Sequence, residues 1–110
     1  MEVNNCVEEK SKNGFEETIN KGIAVVDFFA EWCMPCLMMS PIIEEMADKF
    51  KGKIDFCKVN IDDNSDLTDE YNVMSVPTFI VFKKGKEVDR IVGSMAAELF
   101  EEKLKSLLEH

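Results

Sequence analysis

The stretch 23–36 constrains the fold more than any other part of the 110-residue sequence. An apolar run over 23–29 ends at Ala30-Glu31, two cysteines follow with two residues between them, and a helix-period pattern then begins. Near-continuous apolar residues predict a strand that is covered on both faces, as in an α/β sheet. The pattern therefore predicts a strand, a tight turn and a helix, with Cys33 and Cys36 at the start of the helix.

This cysteine pair has the spacing and the position of a redox site. The thiolate is the nucleophile in disulfide exchange, and the backbone N–H groups and dipole at a helix start favour negative charge. We expect Cys33 to attack because it starts the helix and should be the more exposed thiol. Cys36, one turn further in, should lie deeper and resolve the mixed disulfide.

Two other uses of the pair stay open on the residues alone. A structural zinc site needs about four ligands, but the other cysteines, Cys6 and Cys57, stand far apart in the sequence. A structural disulfide is less expected in a cytosolic chain. We expect Cys57 to act as a small hydrophobe in a buried strand and Cys6 to be an accessible free thiol.

Composition excludes several classes of function. The hydrophobic fraction of 45% indicates a globular chain, and the net charge of −9 disfavours binding to nucleic-acid phosphates. No apolar run approaches the ~18 residues of a membrane span, and the polar start 1–5 lacks the pattern of a signal peptide. We therefore expect a cytoplasmic, single-domain protein over 1–110. We also expect it to be a monomer. The ending Leu108-Glu109-His110 resembles an expression-tag remnant, so no histidine is left for catalysis.

The rest of the chain alternates between helical and extended patterns. Residues 1–12 carry little pattern, and no convincing N-terminal strand is visible. Pro41 should kink the helix that contains it, because it lacks an N–H and clashes with the preceding turn. Beyond the strand 23–29, the pattern predicts helices over 13–21, 34–50 and 64–72, strands over 54–61, 78–83 and 87–92, and a last helix capped by Ser94.

The segment Phe28-Phe29-Ala30-Glu31-Trp32-Cys33-Met34-Pro35-Cys36 resembles the active site of the thioredoxin family, with its Trp-Cys-x-Pro-Cys motif. The resemblance covers about residues 13–108. It implies the α/β thioredoxin fold, a central mixed β-sheet of four to five strands flanked by helices on both faces. It also implies a protein-disulfide reductase that uses a reversible Cys33–Cys36 disulfide and no metal or organic cofactor. Its partners would be disulfide-containing target proteins and a thioredoxin-reductase-type electron donor.

The resemblance also implies roles for residues around the proton path. Asp27, six residues before Cys33, matches a buried aspartate of the family. Desolvation would raise its pKa and make it a proton donor and acceptor for Cys36, through water. Lys58 matches a lysine near that aspartate and would pair with it, opposing the rise in pKa. The alternative for Lys58 is a surface lysine whose stem covers apolar neighbours.

An apolar docking surface for target proteins follows from the same resemblance. Pro77 matches a family proline in the cis form beside the cysteines, and Gly93 matches a glycine that lets a substrate backbone approach. Met74 and Met95 would widen the surface, unless they fill the core as methionines often do. The surface is expected to consist of Trp32, Met34, Val76, Pro77 and Gly93.

The sequence departs from the family pattern at three positions. Met34 stands where glycine is usual, Leu37 where a basic residue is frequent, and Phe29 where tryptophan is common. The dipeptide between the cysteines tunes the redox balance. A disulfide oxidant or isomerase of the same fold therefore stays an alternative, as does a redox-gated protein-binding module. A glutaredoxin-like enzyme fits less well, because Trp32 and Asp27 match thioredoxins better.

Overall fold

The computed structural model describes residues 8–109. None of the helices in this range combines the length and the apolar character that a membrane crossing requires. Strands and helices alternate in the order β1 (Glu8–Glu9), α1 (Lys12–Ile19), β2 (Ile23–Phe29), α2 (Met34–Lys49), β3 (Ile54–Asn60), α3 (Ser65–Glu70), β4 (Thr78–Lys83), β5 (Lys86–Val92) and α4 (Ala97–Leu108).

The strands form one five-stranded mixed sheet in the order β1-β3-β2-β4-β5. β1, β3 and β2 run parallel, whereas β4 and β5 run antiparallel to their neighbours. The predicted mixed sheet is confirmed. β1 was missed because its two acidic residues carry no pattern; it exists through backbone pairing of Glu8 and Glu9 with Cys57 and Lys58 of β3. Cys6 lies outside the described residues, and its prediction is not tested.

Two apolar cores lie on opposite faces of the sheet. The alternating side chains of β2 place Val25 in the core beneath α2 and α4, and Val26 in the core beneath α1 and α3. Helices therefore cover both faces, as predicted. Cys57 is buried in the second core, which confirms its prediction as a small hydrophobe. Burial raises the pKa of its thiol to about 12.

Some predicted helix ends differ from the structure. α4 begins two residues later than a Ser94 cap would place it: Ala96 occupies the cap position, and its carbonyl accepts the Phe100 N–H at 3.0 Å. The prediction for Ser94 is therefore wrong. Asn64 stands at the cap position of α3, but its side-chain amide donates to the Asn60 carbonyl at 3.0 Å instead of capping the helix. Pro41 lies inside α2, as the predicted helix over 34–50 requires, and the kink at Pro41 stays a prediction.

Truncating Phe100 should cost much of the stability of the fold. Phe100 is fully buried, and its ring meets Phe79 edge-to-face with centroids 5.2 Å apart. We expect Phe100→Ala to lower the free energy of unfolding by about 3–5 kcal/mol in urea titrations, because it removes buried area and leaves a cavity. Leu99→Ala is the matched control: Leu99 is 55% exposed, so its truncation should cost no more than about 0.5 kcal/mol. Equal losses in the two variants would contradict this assignment of the core.

Candidate active site

Cys33 and Cys36 lie where the chain leaves β2 and enters α2, as predicted. A disulfide joins them, with the Cα atoms 5.3 Å apart. Cys33 occupies the cap position, and its Sγ accepts a hydrogen bond from the Cys36 backbone N–H at 3.1 Å. The N–H groups of a first helical turn have no partners within the helix. The same donor is therefore available to stabilise a Cys33 thiolate once the disulfide is reduced.

The two cysteines are equally buried, each 4% exposed. The prediction that Cys33 is the more exposed thiol is therefore wrong for the disulfide form. The reason is a small apolar cluster, in which the cysteines join Phe29 and Ala30 while Val76 packs against them. What separates the two sulfurs is the hydrogen bond on Cys33, which favours negative charge on that atom.

Asp27 lies in the middle of the sheet and is 4% exposed. Its Oδ1 has no hydrogen-bond partner within the described part of the chain. Burial raises the pKa of this carboxyl from 3.8 to about 7, and the charge of Lys58 opposes the rise in part. The expected buried aspartate with a raised pKa is thus present. Its function in proton transfer stays a prediction.

A cavity of about 250 Å³ reaches both Asp27 and Cys36. A water molecule takes about 30 Å³ in the liquid, so the cavity has room for several. Its polar lining supplies the partners that buried water needs. The cavity therefore provides space for a water-mediated path between the carboxyl and the thiol. It is lined by Glu9, Asp27, Phe29, Ala30, Glu31, Cys36, Leu37, Ser40 and Lys58.

Lys58 is next to Asp27 but is not paired with it. The two residues are register partners on β3 and β2, yet none of the ion pairs among the described residues joins them, and Asp27 Oδ1 has no hydrogen-bond partner there. The Lys58 ammonium instead lies 4.6 Å from the centroid of the Phe29 ring. The predicted direct pair is therefore wrong, while the predicted opposition to the pKa rise is confirmed.

The five residues of the expected docking surface are brought together around the disulfide. Trp32 and Met34 flank Cys33 and are exposed, and Val76 packs against the cysteine cluster. The Val76–Pro77 peptide bond is cis, as predicted. The Gly93 N–H donates to the Pro77 carbonyl at 2.8 Å, and its φ of 91° favours glycine.

Sequence reasoning missed several residues at the border of this surface. The Trp32 indole N–H donates to the Asp62 carboxylate at 3.0 Å. The signal was available, because Trp32 and Asp62 follow the ends of neighbouring parallel strands. Leu37 and Met38 are exposed on α2, at helical spacing from Met34.

The two methionines that were expected to widen the docking surface differ from one another. Met74 is 90% exposed, two residues before Val76. Met95 packs partly against the core beneath α2 and α4. Met95 thus fits its alternative as core filler.

Replacing Asp27 should stabilise the protein at alkaline pH. Because the folded pKa of about 7 exceeds the ordinary 3.8, the native state binds this proton more tightly than the unfolded chain. The carboxyl therefore makes its full contribution to the free energy of unfolding below about pH 4, and this contribution is lost as the pH rises through about 7. At 1.36 kcal/mol per pKa unit, we expect Asp27→Asn to raise the free energy of unfolding at pH 8 by up to about 4 kcal/mol.

The gain should vanish towards pH 4, where both side chains are neutral. Denaturant titrations at several pH values measure the difference. The matched control is Asp69→Asn at an exposed position, which should not stabilise the protein. A constant difference between Asp27→Asn and the native protein from pH 4 to pH 8 would contradict the raised pKa.

Comparisons with known proteins agree with this geometry. The sequence model of the family Thioredoxin matches residues 6–106. A thioredoxin of Staphylococcus haemolyticus is 44% identical over 86 residues, which is 78% of this chain and 83% of that protein. A thioredoxin of Staphylococcus aureus is 44% identical over 84 residues, 76% of this chain and 81% of the relative.

Solved structures give the same result. Thioredoxin from Plasmodium falciparum aligns with a TM-score of 0.79 and 37% identity over 94% of this chain and 97% of its own. A mutant thioredoxin from Halobacterium salinarum aligns with a TM-score of 0.81 and 26% identity, over 90% of this chain and 89% of its own. With the Cys33–Cys36 disulfide at its strand–helix junction, the chain belongs to the thioredoxin family, whose members are thiol–disulfide oxidoreductases.

Proposed function

We propose that this protein reduces disulfide bonds of other proteins by cycling between a Cys33–Cys36 dithiol and disulfide. The observation that carries the proposal is the disulfide at the start of α2, with a backbone N–H directed at the Cys33 sulfur. A hydrogen bond to the sulfur stabilises its anionic form, so that more of Cys33 is present as the reactive thiolate at neutral pH. This assigns attack to Cys33 and resolution to Cys36.

The reaction takes two exchange steps. The Cys33 thiolate attacks one sulfur of a target disulfide, the target S–S bond breaks, and the released target sulfur takes a proton from solvent. Cys36 then loses its proton and attacks the Cys33 sulfur of the mixed disulfide. The intermolecular bond breaks, and the second target sulfur leaves as a thiolate that takes up a proton from solvent. Two electrons and two protons pass to the target, and Cys33–Cys36 becomes a disulfide.

Asp27 is the proposed acceptor of the Cys36 proton. A general base works best when its pKa lies near the working pH, and the pKa of Asp27 is about 7. The carboxyl and Cys36 line the same cavity, in which water can relay the proton. In the reverse, oxidising direction the same carboxyl would return it. Lys58 would contribute through its charge, which lowers the Asp27 pKa without cancelling the effect of burial.

Thiolate stabilisation alone is a small part of this catalysis. For a thiol whose pKa falls from about 8.5 to about 7, the thiolate fraction at pH 7 rises roughly fifteenfold. With a Brønsted coefficient of ~0.5, the same fall in pKa makes the thiolate about fivefold less nucleophilic, so the net gain in rate is about threefold. The rest must come from holding the target disulfide in line with Cys33. That is the role we assign to Trp32, Met34, Val76, Pro77 and Gly93.

Regeneration of the dithiol requires two electrons from a partner. We propose a thioredoxin-reductase-type donor that docks on the same surface as the targets, since both must reach Cys33. The protein would act as a single-domain monomer in the cytoplasm. The spacing of Cys33 and Cys36, which is typical of a redox site and not of a structural disulfide, supports that location.

Serine substitutions should separate the two cysteines by role. We expect Cys33→Ser to abolish reduction of a disulfide-bonded substrate protein, because no attacking thiolate is left. Cys36→Ser should instead accumulate a mixed disulfide with the substrate, visible on a non-reducing gel. Cys57→Ala is the control and should keep activity, since Cys57 is fully buried. Activity retained by Cys33→Ser would refute the mechanism.

The redox potential should identify the direction of the reaction. We expect the Cys33–Cys36 couple to be more reducing than glutathione, as a general reductant requires. Equilibration with defined thiol–disulfide buffers, read by the fluorescence of Trp32, measures it, and Met34→Gly reports the contribution of Met34. A potential at or above that of glutathione would favour the oxidant or isomerase instead.

A further inference from the structure

Phe29 and Lys58 form a contact at the edge of the proton path. The Lys58 ammonium lies 4.6 Å from the centroid of the Phe29 ring, within the range of a cation–π interaction. Both residues are immediate neighbours of Asp27. Lys58 is its register partner on β3, and Phe29 follows two residues later on the same face of β2. All three side chains line the cavity that reaches Cys36.

We propose that Phe29 is a positioning residue for proton exchange between Asp27 and Cys36: its ring holds the Lys58 ammonium within the cavity wall but out of ion-pairing contact with Asp27. This deepens the proposed function and depends on the role of Asp27 in it. A lysine carries a compact charge on a flexible stem and can reach several positions. The negative face of an aromatic ring selects one of them.

Lys58 is the cation whose position matters here. Among the described residues that line the two cavities at Asp27, it is the only one with a positive charge. The anionic and titratable groups that face this region come from several elements. They are Glu9 of β1, Glu31 of the turn before α2, and Cys36 and Glu44 of α2. The β4 partner of Asp27 is Phe79, which carries no charge.

The distance between Lys58 and Asp27 determines how useful the carboxyl is. A cation in direct contact would hold Asp27 ionised, because an opposite charge favours the charged form. An aspartate kept ionised binds the Cys36 proton weakly at neutral pH and makes a poorer base. A Lys58 ammonium held on the ring is close enough to Asp27 to reduce the rise in pKa that burial causes, and too far away to cancel that rise.

Packing is the competing explanation for Phe29, and the test must exclude it. Phe29 is 9% exposed and belongs to the cluster that contains both cysteines. Its loss could loosen that cluster or admit water to Asp27, and either would change the titration without any contribution from Lys58. A variant that lacks the lysine separates the two explanations.

The experiment is an NMR titration of the Asp27 carboxyl in the disulfide form, on single and double variants. Phe29→Leu should lower the Asp27 pKa by about 1, the low end of the effect of a direct opposite charge. Phe29→Trp retains a ring and should leave the pKa unchanged. Lys58→Met should raise the Asp27 pKa. The double variant Phe29→Leu/Lys58→Met should then have the same Asp27 pKa as Lys58→Met alone. Phe29→Met gives a second ring-free variant should Phe29→Leu not fold.

Two results of this titration would overturn the proposal. One is an unchanged Asp27 pKa in the ring-free variants. The other is a fall of the same size in the Lys58→Met background, which would assign the effect to packing or to water. The titration does not depend on catalysis, so its failure is distinct from a failure of the reductase function, which Cys33→Ser tests.

A kinetic measurement links the position of Lys58 to the chemistry. The pH dependence of mixed-disulfide collapse should move to lower pH in Phe29→Leu by the same amount as the Asp27 titration, and it should not move in Phe29→Trp. An unmoved profile beside a shifted titration would show that Asp27 does not exchange the Cys36 proton, and would also overturn the proposal.

Discussion

The burial of β2 on both faces is the constraint on which the rest of the structure depends. Its side chains from Ala24 to Phe29 are all buried, and successive side chains of a strand point to opposite faces. One face therefore needs α2 and α4, and the other needs α1 and α3. Asp27 shares its face with Val25 and Phe29, so the alternation places a carboxylate beneath α2. A shift of one residue would move it to the opposite core.

The same strand explains why residues distant in sequence meet at one edge of the sheet. β2 and β3 are parallel and end together, where the Ile61 N–H donates to the Phe29 carbonyl at 2.9 Å. β4 runs the other way and begins at this edge, and β5 ends there. The segments after β2 and β3, before β4 and after β5 thus surround the disulfide. They supply Trp32, Asp62, Pro77 and Gly93 in turn.

The sequence predicted the features that depend on local periodicity. The bounds of β2 and β4 agree with the structure to the residue, since each is an apolar run between turn residues. β1 was missed because two acidic residues pair only through their backbone with a strand almost fifty positions away. The burial of Cys33 was missed for a similar reason. It depends on Val76, which reaches the cysteines only after the chain has folded.

The predicted ion pair between Lys58 and Asp27 is wrong because the Lys58 side chain extends to the Phe29 ring and not to the carboxyl. Strand register alone places Lys58 beside Asp27, and charge attraction alone would join them. The ring of Phe29 offers the ammonium a second position, and the choice between the two depends on desolvation. A buried ion pair must lose the hydration of both charges, whereas the ammonium of the partly exposed Lys58 keeps part of its hydration when it lies on the ring.

The arrangement at Asp27 favours chemistry over stability. A carboxyl with a raised pKa destabilises the fold once it ionises, and a direct Lys58 pair would remove much of that cost. The pair would also hold the carboxyl ionised, which would make it a poorer base near neutral pH for the proton exchange that we propose with Cys36. An unpaired buried oxygen in an otherwise well-packed sheet is a local violation of the rules that stabilise the fold. Such violations are expected where function requires them.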